Sequence, residues 1–423
     1  MRIIHTSDWH LGQYFFTKSR AAEHQAFLSW LTGQVEQYQV DAIIVAGDIF
    51  DTTSPPSYAR ELYNQFIVRL QKTGCQLVIL GGNHDSVATL NESRELLSYL
   101  NTQVIASVLE QPQQQVIVLN NRQGDAAAIL CAIPFIRTRD VVTSQAGQSS
   151  GEKHLALQQA IADHYQQIYQ LALNKRQEYA QPIPIIATGH LTTVGASTTD
   201  SVRDIYIGTL DAFPAQAFPP ADYIALGHIH RPQIVAKSEH IRYSGSPIAL
   251  SFDEAGQQKS VVLVEFQQAN LQSITLLTVP EFQPMRLIKG DIAQIEAELA
   301  AFSDYSAERP IWLDIEVISQ HYLNDVQRHI QQLVEPLPVE VVLLRRSKDL
   351  TRQSIQRQAR ETLSELTVNE VFERRLALDE PQTDDQQQRQ QRIKHLFLNL
   401  ADSLTDNQNK TAQQDDKTGG LLK

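Results

Sequence analysis

A chain of 423 residues with 42% apolar and 20% charged side chains is long enough for two or three units with at least one sizeable core. No run approaches the roughly 18 uninterrupted apolar residues of a membrane span, and the start, MRIIHTSDWH, has no long apolar stretch or small-residue cleavage pattern, so a cytoplasmic protein is expected. A net charge of −12 argues against a generally basic nucleic-acid-binding surface, though not against a site where bound cations meet a phosphate.

Short β-rich apolar runs over 3–6, 42–46, 77–80, 129–133, 183–188 and 223–226 predict strands. Helical spacing over 20–37, 57–72 and 154–176 predicts helices between them, with a shorter one over 91–100. That alternation implies an α/β unit with helices covering a sheet, followed by a hairpin-like stretch over 261–266 and 274–279. The pattern changes near Pro280. A strand, helix, strand, helix, strand series over 285–288, 291–302, 311–318, 323–334 and 339–344 predicts a small α+β domain. Beyond Arg345 the chain turns helical, charged and Gln-rich, with apolar stripes in 367–377 and 387–404 and a polar linker over 379–388. The stretch 407–423 has too little apolar content to pack and reads as disordered. Cys75 and Cys131, the two cysteines, sit in apolar runs and read as buried small hydrophobes.

Five times in the first 230 residues, an apolar strand-like run ends in a Gly or Ser and a metal-capable side chain comes next: RIIHTSDWH, AIIVAGD, LVILGGNHD, IIATGH and YIALGHIH. Loops leaving the strand ends of an α/β sheet form the crevice where ligands bind, so these side chains converge if the strands are parallel neighbours. Asp8 and His10 lie two apart, as do His228 and His230, a spacing that puts both side chains on one side of extended backbone. Gly47, Gly82, Gly189 and Gly227 directly precede Asp48, Asn83, His190 and His228, where the lack of a Cβ allows a sharp turn and close backbone approach. Carboxylates, an amide and several imidazoles without a thiolate suit Mn, Fe or Zn better than an all-oxygen Mg or Ca site. Taken singly, a His or Asp at a strand end is more often a solvated loop residue. His5, His24, His154, His164, His240, His321, His329 and His395 lack the strand–Gly context and keep that reading. Asp51, Asp85 and Asp253 stand between, as suited to orienting a ligand or capping a turn as to binding metal.

In this order, DWH, GDIFD, GNHD, GH and GHIH resemble the five motifs of the calcineurin-like metallophosphoesterases, which include phosphatases and nucleases. The longer strings HTSDWHLGQ, GDIFDTTSPPSYAR, GGNHDSVATLNESR and TTDSVRDIYIGTLDAFPAQAFPPADYIALGHIH are similar to the nuclease subunits of bacterial SbcCD complexes, as are PVEVVLLRRS and ETLSELTVNEVFERRLAL. The resemblance extends to about residue 400. It implies an α/β sandwich of sheets flanked by helices over 1–279, an α+β capping domain over 280–346, a helical segment that docks on a partner ATPase over 347–405, and a tail over 406–423. It also implies one metal between Asp8, His10, Asp48 and His230, and a second between Asp48, Asn83, His190 and His228. His84 is then a catalytic histidine that binds neither ion, either protonating the leaving oxygen or hydrogen-bonding the phosphate.

The same resemblance implies two manganese ions, with Mg, Fe or Zn as alternatives, and exonuclease action on double-stranded DNA ends in the 3′ to 5′ direction. It implies endonuclease action on single strands and hairpins, a role in repair, recombination and replication, and a paired subunit bound to an SbcC-type coiled-coil ATPase. No G-x-x-x-x-G-K-[ST] occurs in the chain, so ATP hydrolysis falls to that partner. One rival is a phosphomonoesterase or small-nucleotide phosphodiesterase on the same core, which the five motifs admit and the extra domains disfavour. A non-catalytic adaptor is disfavoured because every ligand position is occupied.

Overall fold

The computed structural model describes residues 1–142, 149–202, 212–302, 305–306, 308–318 and 323–347, and a few positions between 372 and 397. Residues Met1–Arg346 form one compact unit and Ser347–Lys423 a second.

The first unit opens with β1 (Arg2–Thr6), a small hairpin of β2 (Tyr14–Phe15) and β3 (Lys18–Ser19), α1 (Ala21–Tyr38), β4 (Ala42–Val45), α2 (Ser57–Gln71) and β5 (Gln76–Leu80). A short helix α3 (Val87–Asn91) precedes the one expected over 91–100, which is the shorter α4 (Arg94–Ser98), and these lead to β6 (Thr102–Ile105), β7 (Val116–Asn120) and β8 (Ala126–Cys131). After α5 (Thr138–Val141) comes the long α6 (Ser150–Arg176), started by a capping box in which Ser149 and Glu152 satisfy each other's backbone amides. Then follow β9 (Ile185–His190), β10 (Tyr223–Gly227), β11 (Gln233–Val235), β12 (Ser238–Tyr243), β13 (Ser260–Gln267) and β14 (Asn270–Thr278).

These strands form two six-stranded sheets, ordered β14-β13-β1-β4-β5-β6 and β11-β12-β10-β9-β8-β7. The motif-bearing strands are therefore divided: β1, β4 and β5 are parallel neighbours in one sheet, β9 and β10 in the other. This corrects the single covered sheet expected from the alternation and agrees with the sandwich implied by the resemblance. Alternate side chains explain the layering. Ile4, Ile43, Val45, Leu77 and Ile79 pack with Phe27, Leu31, Phe66 and Leu70 of α1 and α2. Their neighbours Ile3, Ile44, Val78 and Leu80 meet Leu130, Ile186, Tyr223 and Ala225 of the second sheet. That sheet's other face, with Ile129, Ile185, Ile224 and Leu226, buries Leu157, Ile161, Tyr165 and Ile168 of α6. Strands buried on both faces read as unbroken apolar runs, and such runs do not encode their partners. Of the sheet strands absent from the sequence reading, β6, β11 and β12 are edge or near-edge strands with mixed exposure and so lack that signal, whereas the edge strand β7 carries it in VIVL.

Residues after Pro280 form β15 (Met285–Gly290), α7 (Ile292–Leu299), β16 (Ile311–Val317), α8 (Leu323–Val334) and β17 (Val339–Arg346). The three strands make a parallel sheet in the order β15-β16-β17, with its own core of Ile288, Ile295, Leu313, Ile315, Val326 and Ile330. A second apolar cluster, of Phe15, Phe252, Met285 and Trp312, joins this sheet to the sandwich. The Phe15 ring stacks on Trp312 with centroids 5.7 Å apart, and Lys18 Nζ lies 2.8 Å from Glu340.

The helical segment expected over 347–405 and the tail over 406–423 lie almost wholly outside the described residues. In the second unit Phe372 and Phe397, one from each expected stripe, stack with ring centroids 3.7 Å apart. No described helix is long and apolar enough to cross a membrane.

Candidate metal centre

The chain leaving the ends of β1, β4, β5, β9 and β10 brings Asp8, His10, Asp48, His84, His190, His228 and His230 into one buried cluster, with Asn83 half-buried beside them. The backbone route differs from the extended one expected for the paired motifs. Asp8, His10, Asp48 and His228 have φ values of 54°, 46°, 53° and 92°, in the left-handed region. Such residues typically cost about 1–3 kcal/mol each and persist only where surrounding contacts enforce them. Those contacts are a continuation of the β1–β4 pairing: Asp8 N donates to Gly47 O at 3.0 Å, His10 N to Asp48 O at 3.1 Å and Leu11 N to Ile49 O at 2.9 Å. Two glycines let the loops close. A Cβ on Gly47 (φ 97°) would lie 2.2 Å from His190 Nδ1, and one on Gly82 would lie 2.1 Å from Asp48 Oδ1.

Asp85 knits two of these loops together. Its carboxylate accepts hydrogen bonds from the amides of Ile49 (3.1 Å), Phe50 (2.9 Å) and Gly82 (2.9 Å). Burial and the nearby Asp48 push its pKa up to about 6, against the pull of those amides.

Asp8, His10 and His230 offer ligand atoms all within 4.8 Å of one another, and so do Asp48, His190 and His228. Asn83 Oδ1 joins the second trio, 2.8 Å from His190 Nε2 and 3.1 Å from His228 Nδ1. Asp48 Oδ2 stands between the two groups, 3.2 Å from His190 Nε2 and 3.7 Å from His10 Nε2. His84 is also within ligand reach of His10 and Asp48. Its backbone N donates to Asp48 Oδ1 at 2.9 Å, and its Nδ1 lies 2.8 Å from the Asp51 carbonyl.

This donor set fits a divalent cation. His10 Nε2, which faces Asp48, is buried with no hydrogen-bond partner, a costly state that a cation would relieve. Three imidazoles are held through the other ring nitrogen: His10 Nδ1 by Asp51 (3.0 Å), His190 Nδ1 by the Ala46 carbonyl (2.8 Å) and His230 Nδ1 by Ser201 Oγ (2.6 Å). Holding Nδ1 as the donor turns Nε2 into the ligand atom. Burial disfavours charge on His190, yet the Asp48 carboxylate beside it raises its pKa to about 9, so a proton is what a cation must displace there.

Two contributors had no signal in the sequence reading. Glu254, fully buried, accepts from Thr199 Oγ1 at 2.8 Å and from Ser201, and its Oε1 lies 3.4 Å from His230 Nδ1. Its Oε2 accepts from Leu250 N at 3.0 Å and Lys259 Nζ at 2.6 Å. Burial alone would raise the Glu254 pKa, but the interactions with His230 and Lys259 hold it well below the carboxylate range. Neither Glu254 nor Ser201 follows a strand–Gly junction. Of the intermediate aspartates, Asp51 and Asp85 touch the cluster, while Asp253 accepts from the Asp200 amide at 3.1 Å. Among the other histidines, His5, His24, His154, His164, His240 and His329 join none of these groups, and His321 and His395 lie outside the described residues. Cys75 and Cys131 are buried thiols in the two outer cores.

Residues 1–232 match the calcineurin-like phosphoesterase family, and residues 281–380 match the Type 5 capsule protein repressor C-terminal domain. The chain is 60% identical over 404 residues to the SbcD subunit of the SbcCD nuclease of Escherichia coli (strain K12), covering 96% of this chain and 98% of that one. To the SbcD subunit of Bacillus subtilis (strain 168) it is 30% identical over 334 residues, covering 78% and 82%. The chain therefore belongs to the calcineurin-like phosphoesterases and, among them, to the SbcD nuclease subunits, which are metal-dependent phosphodiester hydrolases.

Proposed function

We propose that this chain hydrolyses DNA phosphodiesters with two divalent ions, manganese foremost. Asp8, His10, Asp48 and His230 would hold one, and Asp48, Asn83, His190 and His228 the other. The observation that carries this reading is the position of Asp48 Oδ2, 3.2 Å from His190 and 3.7 Å from His10. When bound, two such ions acidify water and neutralise charge on the phosphate. The chain's own residues do the rest. Asp51, the Ala46 carbonyl and Ser201 keep three imidazoles in the ligating tautomer. His84, oriented through the Asp51 carbonyl, carries the proton for the departing sugar oxygen.

The net charge of −12 leaves the grip on a duplex to a partner. We assign that role to an SbcC-type ATPase docked on the segment over 347–405, in an assembly with two copies of each subunit in the cytoplasm. ATP-dependent 3′ to 5′ degradation of duplex ends then belongs to the complex, and cleavage of single strands and hairpins to this chain. The unit over 280–346 acts as a cap that orients DNA. The test sets metal analysis beside cleavage of a linear duplex, a hairpin and p-nitrophenyl phosphate. Two manganese ions per chain with cleavage of the hairpin support the reading, whereas hydrolysis of the monoester alone sinks it.

A further inference from the structure

The cleft over His10 and His84, about 580 Å³ in volume, is walled on its far side by the β2–β3 hairpin and the cap sheet. Its charged lining is mostly acidic. Arg345 is the one lysine or arginine among its described lining residues, and it is engaged with buried Asp314, Nε to Oδ1 at 3.1 Å. A wall of this kind cannot hold a duplex by its phosphates, which requires unpaired cations. What it presents is aromatic and apolar surface: Tyr14 is 57% exposed, Phe16 54% and Leu287 43%.

The hairpin is built to keep those rings outward. Phe15 points in and anchors it, 4% exposed, with its ring 4.9 Å from Phe252 and 5.7 Å from Trp312. Tyr14 and Phe16 flank that anchor, and Phe16 sits at φ 55° in the left-handed region, resting edge-on against Phe15 at 5.2 Å. Large rings left in water beside a phosphodiester site offer faces for stacking. A paired base inside a duplex has both faces covered already, so only an unpaired base can use them.

We infer that Tyr14 and Phe16 form a stacking platform for unpaired nucleobases next to the scissile phosphate, selecting single strands, hairpin loops and frayed ends. This rests on the nuclease reading above.

The test uses the full chain with manganese and two single-stranded oligonucleotides, one intact and one with abasic residues flanking the cleavage site. Wild type is expected to cut the intact strand about 5- to 150-fold faster than the abasic one, the range for one base–aromatic stack. The double variant Tyr14→Ala, Phe16→Ala should cut both strands at the slow abasic rate while binding the same number of ions, and Phe16→Trp should retain the preference for the intact strand. A double variant as fast as wild type on the intact strand overturns the platform, and so does one slowed equally on both strands. If wild type with its ions bound cuts no DNA at all, the nuclease reading falls first and the platform with it.

Discussion

Replacing Glu254 by Gln should weaken one metal position and spare the other. The buried carboxylate accepts hydrogen bonds from Thr199, Ser201, Ser246, Leu250 N and Lys259. Glutamine keeps the shape but turns one oxygen into a donor facing donors, and it strips Lys259, 6% exposed, of its counter-charge. Breaking a buried pair in this way costs about 3–5 kcal/mol of stability. The effect on His230 is separate. Its Nδ1 is held through Ser201 Oγ at 2.6 Å, and Ser201 in turn donates to Glu254, so the substitution loosens the tautomer and aim of Nε2. Loss of such an outer partner typically lowers metal affinity about 10–100-fold. Ser201→Ala should be milder, about tenfold, because Glu254 Oε1 remains 3.4 Å from Nδ1. Manganese titration by calorimetry reads both positions. The ion at Asp8, His10 and His230 should weaken, while the one at Asn83, His190 and His228 holds. Equal weakening of both, or no change in folded Glu254→Gln protein, would refute the reasoning.

Asp48→Ala should remove tight binding at both positions with the fold largely kept, since its Oδ2 serves both groups; two retained ions with normal turnover would contradict this. His84→Ala should keep both ions and lose about 10²–10⁴ in turnover, and loss of an ion would make it a ligand instead. Burial holds His5 and His24 at pKa values of about 3, below the ordinary 6.5, so the native state binds fewer protons than the unfolded chain. Stability should therefore fall as pH drops below 6.5 and down towards 3, by roughly 1.4 kcal/mol per pH unit for each group at most. Urea unfolding of His24→Leu at pH 7 and pH 5.5 should show one group's share missing, and an unchanged slope would count against it. Truncation after Arg346, the boundary of the first unit, should leave manganese-dependent cleavage of single strands nearly unchanged and abolish co-purification with the ATPase. A truncated chain that still binds the ATPase would place the main contact elsewhere.

The cluster of metal-capable side chains was legible because each of them lies at a strand end or within four residues after one, a local relation that needs no knowledge of pairing. LVILGGNHD shows it most fully: an apolar run, the glycine whose Cβ would meet Asp48, then Asn83 and His84. The change of pattern at Pro280 and the strand–helix series after it were equally local. Tertiary structure decided the division of the five strands between two sheets, since an apolar run buried on both faces looks alike wherever its neighbours lie. It also decided the left-handed backbone at Asp8 and His10, which is enforced by amide bonds to the loop around Asp48 rather than by their own propensity. Glu254 was out of reach for the same reason. A glutamate in SFDEAG reads as a solvated turn until Lys259, further along its own loop, and Ser201 and His230, brought from two others, supply the partners that let a carboxylate be buried.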